Sequence, residues 1–343
     1  MSAKRNSWSG GGRLCCLCVV LASLALAGPL QAQTFTVFPA DTIALAINDS
    51  AAVVGAETSI GFGFLRTPDG TFISFRAAEN AVTTPKSINN TGAITGIYGG
   101  ADLVYHGFVR DADGAITSFD APGAGQTKYQ GTLPASINAA GVITGYFVDQ
   151  SGNLHGFVRT VDGTITSIDV PNAEQTQPVG VNDKGEIVGY WNDSRVHGFI
   201  RSAGGAIKSF KGPDGARLTY ANAINNNGIV AGVFDDQTGG GHGYIRQRGG
   251  AFTTFDRGTE LFTTALAIND TGTVAGDYKA NKHGKENGFL RHPNGGMETI
   301  SAPLATAGTH ALTINKDDVV AGYFQTRTGR QGPVTSYGFI WTP

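Results

Sequence analysis

The chain has 343 residues with a formal net charge of −2, and its composition excludes several classes of protein before any motif is considered. Charged residues are only 15% of the sequence, and lysine and arginine form no cluster, so no nucleic-acid-binding surface is expected. Glycine accounts for 50 residues, about twice the usual share. Because these glycines recur at fixed spacings, they predict many tight turns and not disorder.

Residues 1–32 have the features of a secretory signal peptide. Lys4, Arg5 and Arg13 form a basic segment, an apolar run follows, and small residues precede Gln33, where we expect the mature chain to begin. The apolar run is shorter than the roughly 20 residues that a membrane span needs. We therefore expect cleavage and export to the periplasm or the cell exterior, with no membrane span left. A retained anchor is the alternative.

All three cysteines lie within this segment, as Cys15, Cys16 and Cys18. The mature chain, residues 33–343, would therefore contain no disulfide, no thiolate nucleophile and no cysteine-bound metal. Removal of residues 1–32 takes away three positive charges and no negative charge, which changes the formal net charge from −2 to −5. We expect a monomer with no cofactor and no bound metal.

The rest of the sequence is a tandem repeat. Six copies run Ile/Val-Asn, a turn that usually bears a glycine, Ile/Val-x-Gly, a loop, Gly-Phe/Tyr-x-Arg, a second turn and a short β-rich run, and a seventh copy is shorter. The asparagines are 41 to 49 residues apart, at Asn48, Asn89, Asn138, Asn182, Asn225, Asn269 and Asn315. Four short strands per repeat, here called a, b, c and d, are typical of a β-propeller blade. Helical repeats are excluded because no apolar period of 3.6 residues occurs.

Two constant positions have a local explanation. Each asparagine follows strand a and is expected to form an Asx-turn with the backbone two residues on, which we prefer to a ring of ligands. Strand b carries a glycine in every copy, from Gly55 to Gly322. Because glycine weakens a strand unless another group must approach closely, we expect it to mark packing between neighbouring blades.

The seventh repeat lacks its last strand. It starts at Asn315, reaches Gly338-Phe339-Ile340-Trp341 and stops at Pro343, whereas a strand-like run at Thr34–Phe38 has no repeat of its own. Such a permutation lets the two chain ends share one blade. The sequence therefore predicts that residues 33–343 form one all-β domain, a seven-bladed β-propeller closed by the N-terminal strand.

At this point the sequence resembles the bacterial extracellular HAF-repeat family, named for a His-Ala-Phe tripeptide in each repeat. Here the tripeptide is His-Gly-Phe at His106, His155 and His197, and His-Gly-Tyr at His242. The resemblance covers essentially residues 33–343. It implies export and a propeller-like array, and it implies no established activity, so no catalytic residue is carried over.

The four histidines are expected to serve the fold. Neighbouring c strands of a propeller would lie too far apart for two histidines to share a metal ion, so we expect each histidine to donate to backbone near the b–c loop. Aromatic residues follow the strand b glycine by two positions: Tyr98, Phe147, Trp191, Phe234, Tyr278 and Phe324. Packing between blades is their expected role, and stacking on sugars is the alternative.

Loops that break the repeat are the predicted binding site, because a scaffold repeats and a specific site usually does not. The d–a loop of repeat 2 carries Lys128 and Tyr129, and the b–c loop of repeat 7 carries Arg327 and Arg330. Glu57 replaces an aromatic residue in repeat 1, between these two. We expect these five side chains to line one ligand site, with no catalytic residue assigned.

The function predicted is an exported binding module for a glycan or a protein. The alternative is a polysaccharide-active enzyme, a lyase or glycoside hydrolase, and a structural surface protein is a weaker one. Carboxylates after strand d, together with Glu260 and His310 in neighbouring loops, could supply an acid pair with a histidine; the carboxylates are Asp120, Asp169 and Asp256. Three or more such side chains converging in one pocket would favour the enzyme.

Overall fold

All of the regular structure in the described part of the chain is β-strand. The computed structural model describes residues 33–213, 215–258, 262–279, 281, 284–329 and 331–343, so the predicted signal peptide lies outside the described residues. These residues contain 28 strands and no helix. Consequently none of them belongs to a helix long and apolar enough to cross a membrane.

The strands follow the predicted repeats. The first strand, β1, is Thr34–Ala40. Repeat 1 contains β2 (Thr42–Ile47), β3 (Val53–Glu57), β4 (Phe62–Arg66) and β5 (Phe72–Phe75). Repeat 2 contains β6 (Val82–Ile88), β7 (Ile94–Gly99), β8 (Tyr105–Arg110) and β9 (Ile116–Phe119). Repeat 3 contains β10 (Gly131–Ile137), β11 (Ile143–Val148), β12 (Leu154–Arg159) and β13 (Ile165–Ile168). Repeat 4 contains β14 (Gln175–Val181), β15 (Ile187–Asn192), β16 (Val196–Arg201) and β17 (Ile207–Phe210).

The last three repeats continue the pattern. Repeat 5 contains β18 (Leu218–Ile224), β19 (Val230–Asp235), β20 (Gly241–Arg246) and β21 (Phe252–Phe255). Repeat 6 contains β22 (Thr263–Ile268), β23 (Val274–Lys279), β24 (Glu286–Arg291) and β25 (Met297–Ile300). Repeat 7 contains β26 (Gly308–Ile314), β27 (Val320–Arg327) and β28 (Val334–Thr342). Within each repeat successive strands pair antiparallel, so each is a four-stranded meander, with β1 completing repeat 7.

The N-terminal strand pairs with the C-terminal one, as its sequence predicts. Strand β1 lies antiparallel to β28, with Phe35 opposite Trp341 and Val37 opposite Phe339. Phe38 points into a buried cluster that includes Phe64 of repeat 1 and Ile340 of repeat 7. The strand therefore joins the two ends of the described chain, because its own side chains pack on both the first and the last repeat.

A circuit of side-chain hydrogen bonds links the repeats in order. The Nδ2 of each repeat asparagine donates to the backbone carbonyl oxygen of the asparagine in the next repeat, and the seventh donates to the first. The pairs are Asn48 to Asn89 (3.1 Å), Asn89 to Asn138 (2.9 Å), Asn138 to Asn182 (3.0 Å), Asn182 to Asn225 (3.0 Å), Asn225 to Asn269 (2.9 Å), Asn269 to Asn315 (2.9 Å) and Asn315 to Asn48 (3.3 Å). We call this set the asparagine belt.

The same asparagines also form the turns that the sequence predicts. The Oδ1 of Asn225, for example, accepts the backbone N–H groups of Asn227 and Ile229, both at 3.0 Å. Each belt side chain is buried, so one amide satisfies its own turn and an adjacent repeat at once. The turn could be predicted from one repeat, but the bond to the next repeat could not.

The strand b glycines have a different role from the one predicted. A Cβ atom on Gly55 would lie 1.9 Å from the carbonyl oxygen of Ile43 and 2.7 Å from the ring of Phe64. All three residues belong to repeat 1, and equivalent contacts recur in the other repeats. The expectation of packing between blades is therefore wrong here, since the glycine makes room for strands a and c of its own repeat. Some strand c glycines also meet the next repeat: a Cβ on Gly63 would lie 2.8 Å from Pro85, whereas a Cβ on Gly198 would lie 2.4 Å from the ring of Phe210 in its own repeat.

Arginine–aromatic contacts fasten neighbouring sheets at their outer strands. In five repeats the strand c arginine lies over the strand d aromatic ring of the preceding repeat, and for repeat 1 that ring is in β1. The distances to the ring centroids are 5.5 Å for Arg66 and Phe38, 5.2 Å for Arg110 and Phe75, 4.9 Å for Arg159 and Phe119, 4.7 Å for Arg246 and Phe210, and 4.8 Å for Arg291 and Phe255. Such a contact combines cation–π attraction with packing of the arginine stem.

The anchoring of β1 gives a stability prediction. Phe38 is only 3% exposed, whereas Val37 on the same strand is 43% exposed. We expect Phe38→Ala to lower the free energy of unfolding by about 3–5 kcal/mol, because it leaves a cavity among packed rings. Val37→Ala is the matched control and should change stability by less than about 1 kcal/mol. Urea unfolding of residues 33–343 measures both, and equal losses would contradict the anchoring role.

Candidate functional site

The cavity at the asparagine belt is lined by groups that already have partners. Its volume is about 190 Å³, and its wall contains the belt, the residue before each asparagine and the residue after it. The carboxylates at its rim bond to backbone: Asp183 accepts from the N–H of Ala139 at 2.8 Å, and Asp49 from that of Lys316 at 3.0 Å. Among the described residues, no group of three or more His, Cys, Asp or Glu side chains is arranged to hold a metal ion. We assign this cavity to the fold.

The four repeat histidines bind carboxylates, so the predicted backbone partner is wrong. The Nδ1 atoms of His106, His155 and His242 lie 2.9–3.1 Å from the aspartate that follows strand d. These aspartates are Asp120, Asp169 and Asp256. The register explains the pairing: Gly107 lies opposite Phe119, which places the preceding histidine opposite the following aspartate. His197 differs, because its Nε2 lies 3.3 Å from Asp193 in the b–c loop.

Each of these histidines also stacks on an aromatic ring of its own repeat. The ring centroids are 5.1 Å apart for Tyr98 and His106, 5.1 Å for Phe147 and His155, 4.5 Å for Trp191 and His197, and 5.0 Å for Phe234 and His242. The strand b aromatics therefore have a ring contact within the repeat that was not predicted. Because this combination of histidine, carboxylate and aromatic ring recurs, we assign it to the scaffold.

The described members of the predicted loop site have local surroundings of their own. Glu57 ends β3 and accepts a hydrogen bond from the hydroxyl of Ser74. The Nζ of Lys128 lies 4.7 Å from the ring centroid of Tyr129, which is 57% exposed. Arg327 ends β27 with an exposed side chain. In the part of the chain that the structure describes, no hydrogen bond, ion pair or ring contact joins these three places.

Arg330, the fifth member of the predicted site, lies outside the described residues. Glu260, named above as part of a possible acid pair, also lies outside them. The grouping of Glu57, Lys128, Tyr129, Arg327 and Arg330 as one ligand site therefore stays a prediction.

The structure indicates a different site, at two strand positions where the residue type changes from repeat to repeat. One is the residue after the strand a threonine, and the other is the residue after the strand b glycine, directly opposite it. We call these fourteen residues the variable layer. The pairs are Ile43 and Ala56, Thr84 and Ile97, Leu133 and Tyr146, Gln177 and Tyr190, Tyr220 and Val233, Thr264 and Asp277, and His310 and Tyr323.

The variable layer lies on the inner strands of the array. Each strand a contacts the strand a of both neighbouring repeats, with repeat 7 contacting repeat 1. Side chains of the layer also meet between repeats: Tyr190 of repeat 4 lies edge-on to Tyr220 of repeat 5, with ring centroids 5.1 Å apart. Most of its side chains are partly exposed. The layer therefore presents solvent-accessible side chains on the inner strands, and some of them meet between repeats.

Tyrosines dominate one side of the layer. Tyr146, Tyr190 and Tyr220 come from three successive repeats, and Tyr105 lies beside Tyr146; we call these four residues the tyrosine arc. Burial raises the pKa of each of the first three, and for Tyr190 the neighbouring Tyr146 and Tyr220 raise it further. The Tyr190 hydroxyl donates to Oε1 of Gln177 at 3.1 Å. These phenols are therefore neutral at physiological pH, with an aromatic face and a hydroxyl to offer.

A histidine–carboxylate cluster forms the other side, where repeats 6 and 7 meet. The Nδ1 of His310 lies 2.9 Å from Oδ2 of Asp277 and 3.5 Å from Oε2 of Glu286. The other oxygen of Asp277 accepts the backbone N–H of Ala311 at 2.8 Å. The imidazole stacks on Tyr323, with ring centroids 4.6 Å apart. Burial raises the pKa of Tyr323, and the charges of Asp277 and Glu286 raise it further.

This arrangement fixes the orientation of the imidazole. A carboxylate that holds Nδ1–H leaves Nε2 as the group that can exchange a proton or bind a ligand. Among the described residues, Nε2 of His310 has no hydrogen-bond partner. An adjacent cavity of about 140 Å³ is lined by Phe262, Thr264, Leu266, Asp277, Tyr278, Lys279 and Glu286. The Nζ of Lys279 binds Glu286 at 3.1 Å.

His310 is therefore a strand residue, and its predicted loop position is wrong. Strand β26 begins at Gly308, which forms a parallel bridge with Glu286. Within this strand His310 pairs with Tyr323 of β27. The carboxylates expected to join His310 are also different, because Asp120, Asp169 and Asp256 pair with the repeat histidines. The signal in the sequence was the change of residue type between constant neighbours: a threonine precedes the first position and a glycine precedes the second.

Comparison with known proteins shows the fold. No protein-family model and no curated protein matches the chain. A streptogramin B lyase structure is 14% identical, covers 90% of this chain and 98% of that one, and has a TM-score of 0.58. A catalytically inactive variant of virginiamycin B lyase from Staphylococcus aureus, with quinupristin, is 14% identical over 89% and 99%, with a TM-score of 0.60. YCF48 bound to D1 peptide is 9% identical over 91% and 97%, at 0.50.

At these identities the likeness extends to the architecture alone. The chain has an all-β fold of tandem β-sheet repeats, and the solved structures that it resembles are of the propeller type.

The carboxylates around His242 give a pH prediction. Burial lowers the pKa of His242, but hydrogen bonds and charges from Asp256 and Asp236 outweigh it and raise the pKa above 6.5. A histidine with a raised pKa in the folded state stabilises the fold fully below about pH 6.5, and this contribution is lost as the pH rises through the raised value. We expect the stability difference between the parent and His242→Gln to shrink from pH 5.5 to pH 8.5.

Urea unfolding across that pH range measures the difference in free energy of unfolding. The contributions of the other histidines cancel in this difference because both proteins contain them. The change should stay below about 1 kcal/mol, since a partly exposed ion pair is screened by solvent. A difference that grows as the pH rises would contradict the assignment of His242 as a carboxylate-stabilised group.

Proposed function

We propose that the mature chain is an exported, monomeric, seven-bladed β-propeller of the extracellular HAF-repeat family, closed by its N-terminal strand, that binds a glycan. Two features support the closed architecture. The asparagine belt returns from Asn315 to Asn48, and β1 pairs with β28 while Phe38 packs on repeat 1. The N-terminal sequence supports export to the periplasm or the cell exterior.

The variable layer carries the proposal of a ligand. The tyrosine arc offers neutral aromatic faces and hydroxyls, and the histidine–carboxylate cluster offers acceptors beside a cavity. Sugar rings present C–H faces that pack on aromatic rings and hydroxyl groups that donate to carboxylates and imidazole, so one glycan chain matches both sides of the layer. A peptide ligand is the alternative within the same role, and YCF48, a similar fold, is described with a bound peptide.

An acid–base enzyme is the second candidate function, and the histidine–carboxylate cluster favours it. Asp277 orients His310, and Glu286 lies beside them, so three ionisable side chains converge at one place. An oriented histidine next to a second carboxylate is suited to moving a proton to or from a bound substrate. The similar structures include lyases by name. For this chain we propose a polysaccharide lyase or glycoside hydrolase as that candidate.

Binding to a glycan array, followed by calorimetric titration of each glycan that binds, tests the proposal. We expect Tyr190→Ala to weaken binding about tenfold or more, because it removes an aromatic surface in the middle of the tyrosine arc. Tyr129→Ala is the matched control, since it removes an exposed loop tyrosine. If Tyr129→Ala weakens binding and Tyr190→Ala does not, the loop site is correct and the layer is not.

Mass spectrometry of the same mixtures separates the two candidate functions. Unchanged glycan after prolonged incubation indicates a binding module. Shortened or unsaturated products that disappear with His310→Gln indicate the enzyme.

A further inference from the structure

One charged side chain breaks an otherwise uncharged ring of bulge residues. Every strand a contains a β-bulge, so one residue per repeat has no cross-strand partner. The seven bulge residues are Leu45, Lys86, Ala135, Val179, Asn222, Leu266 and Leu312. Six cannot ionise, and Lys86 in repeat 2 is the exception.

The bulge residues lie directly beyond the variable layer on the same strands. Along β6 the side chains of Thr83 and Pro85 are buried, whereas those of Thr84 and Lys86 are not, so Lys86 lies on the same open face as Thr84 of the layer. Other members of this face reach the adjacent repeat. Asn222 donates from Nδ2 to the carbonyl oxygen of Ala265 at 2.8 Å. A ligand bound at the variable layer would therefore have Lys86 as its next neighbour on the side of the asparagine belt.

Lys86 is accessible to solvent and yet poorly hydrated. Its side chain is exposed, but the surrounding protein desolvates the ammonium group and lowers its pKa, with no contribution from a neighbouring carboxylate. Among the described residues it has no ion pair and no side-chain hydrogen bond. A positive charge so placed is costly unless an anion binds it.

We propose that Lys86 binds the anionic group of an acidic sugar whose ring occupies the variable layer. This rests on the proposed glycan function and narrows its ligand class to glycans that carry a carboxylate or a sulfate. An ammonium group in a poorly hydrated space binds either anion strongly, because the competing interaction with water is weak. The ring itself packs on the tyrosine arc, and its hydroxyls remain free for the carboxylates of repeats 6 and 7.

The test is calorimetric titration with three probes: an oligogalacturonate, a sulfated galactan oligosaccharide and a neutral galactan oligosaccharide. Lys86→Met removes the charge and keeps the stem. We expect it to weaken binding of an acidic probe about tenfold, with binding of the neutral probe unchanged. Lys86→Arg should keep binding of that acidic probe within about threefold. Lys208→Met is the matched control, since Lys208 is exposed on β17, and it should leave all three probes unaffected.

The outcomes separate this inference from the function on which it rests. If Lys86→Met weakens binding of the oligogalacturonate alone, the site binds a carboxylate. If it weakens binding of the sulfated galactan alone, the site binds a sulfate. If Lys86→Met binds the acidic probes like the parent while Tyr190→Ala binds no probe, the anion site is wrong and the glycan function stands. If the parent binds none of the probes, both fail. Thermal unfolding shows that Lys86→Met is folded: its midpoint should equal or exceed that of the parent, because a poorly hydrated charge is removed.

Discussion

One buried asparagine amide per repeat makes hydrogen bonds both within its own turn and to the next repeat, and the arrangement of the repeats depends on it. The oxygen of each belt asparagine accepts one or two backbone N–H groups of its own turn, and its nitrogen donates to the carbonyl of the asparagine in the next repeat. Aspartate has no N–H donor, and serine has one hydroxyl in place of separate donor and acceptor atoms. Asparagine is therefore the short side chain that can accept from its own turn and donate to the next repeat. The bonds run through all seven repeats and return to the first, so the residue that forms each turn also contacts the next repeat.

Positions that are constant between repeats and positions that vary have different roles in this structure. Positions that repeat have partners: histidines have aspartates, arginines lie over rings, and asparagines bind carbonyl groups. The positions that change lie between them on the inner strands, where a side chain can vary without disturbing a strand pair. Tyr146, Tyr190, Tyr220, His310, Asp277 and Lys86 occupy such places. A constant frame thereby holds a set of unlike groups on neighbouring inner strands.

Much of the fold could be predicted from the sequence, because turn chemistry and strand patterns are local. The 28 strands, the pairing of β1 with β28 and the Asx-turns follow from the repeat itself. The bond from one asparagine to the next repeat could not be predicted, since it depends on how sheets are placed. The site was sought in loops because loops vary most in length. His310 and Asp277 lie instead on strands of two repeats, where 33 residues of sequence separate a 2.9 Å contact.

The belt is tested most directly by the free energy of unfolding of Asn225→Asp at pH 7. This change keeps the oxygen that accepts from Asn227 and Ile229 but replaces the donor that faces the carbonyl of Asn269 with an acceptor. We predict a loss of about 1–3 kcal/mol or more, because a buried carbonyl loses its partner and faces a second oxygen. Asn294→Asp, in an exposed turn where only the acceptor is used, is the control and should be near neutral. Equal stability of Asn225→Asp and the parent would contradict the belt's role.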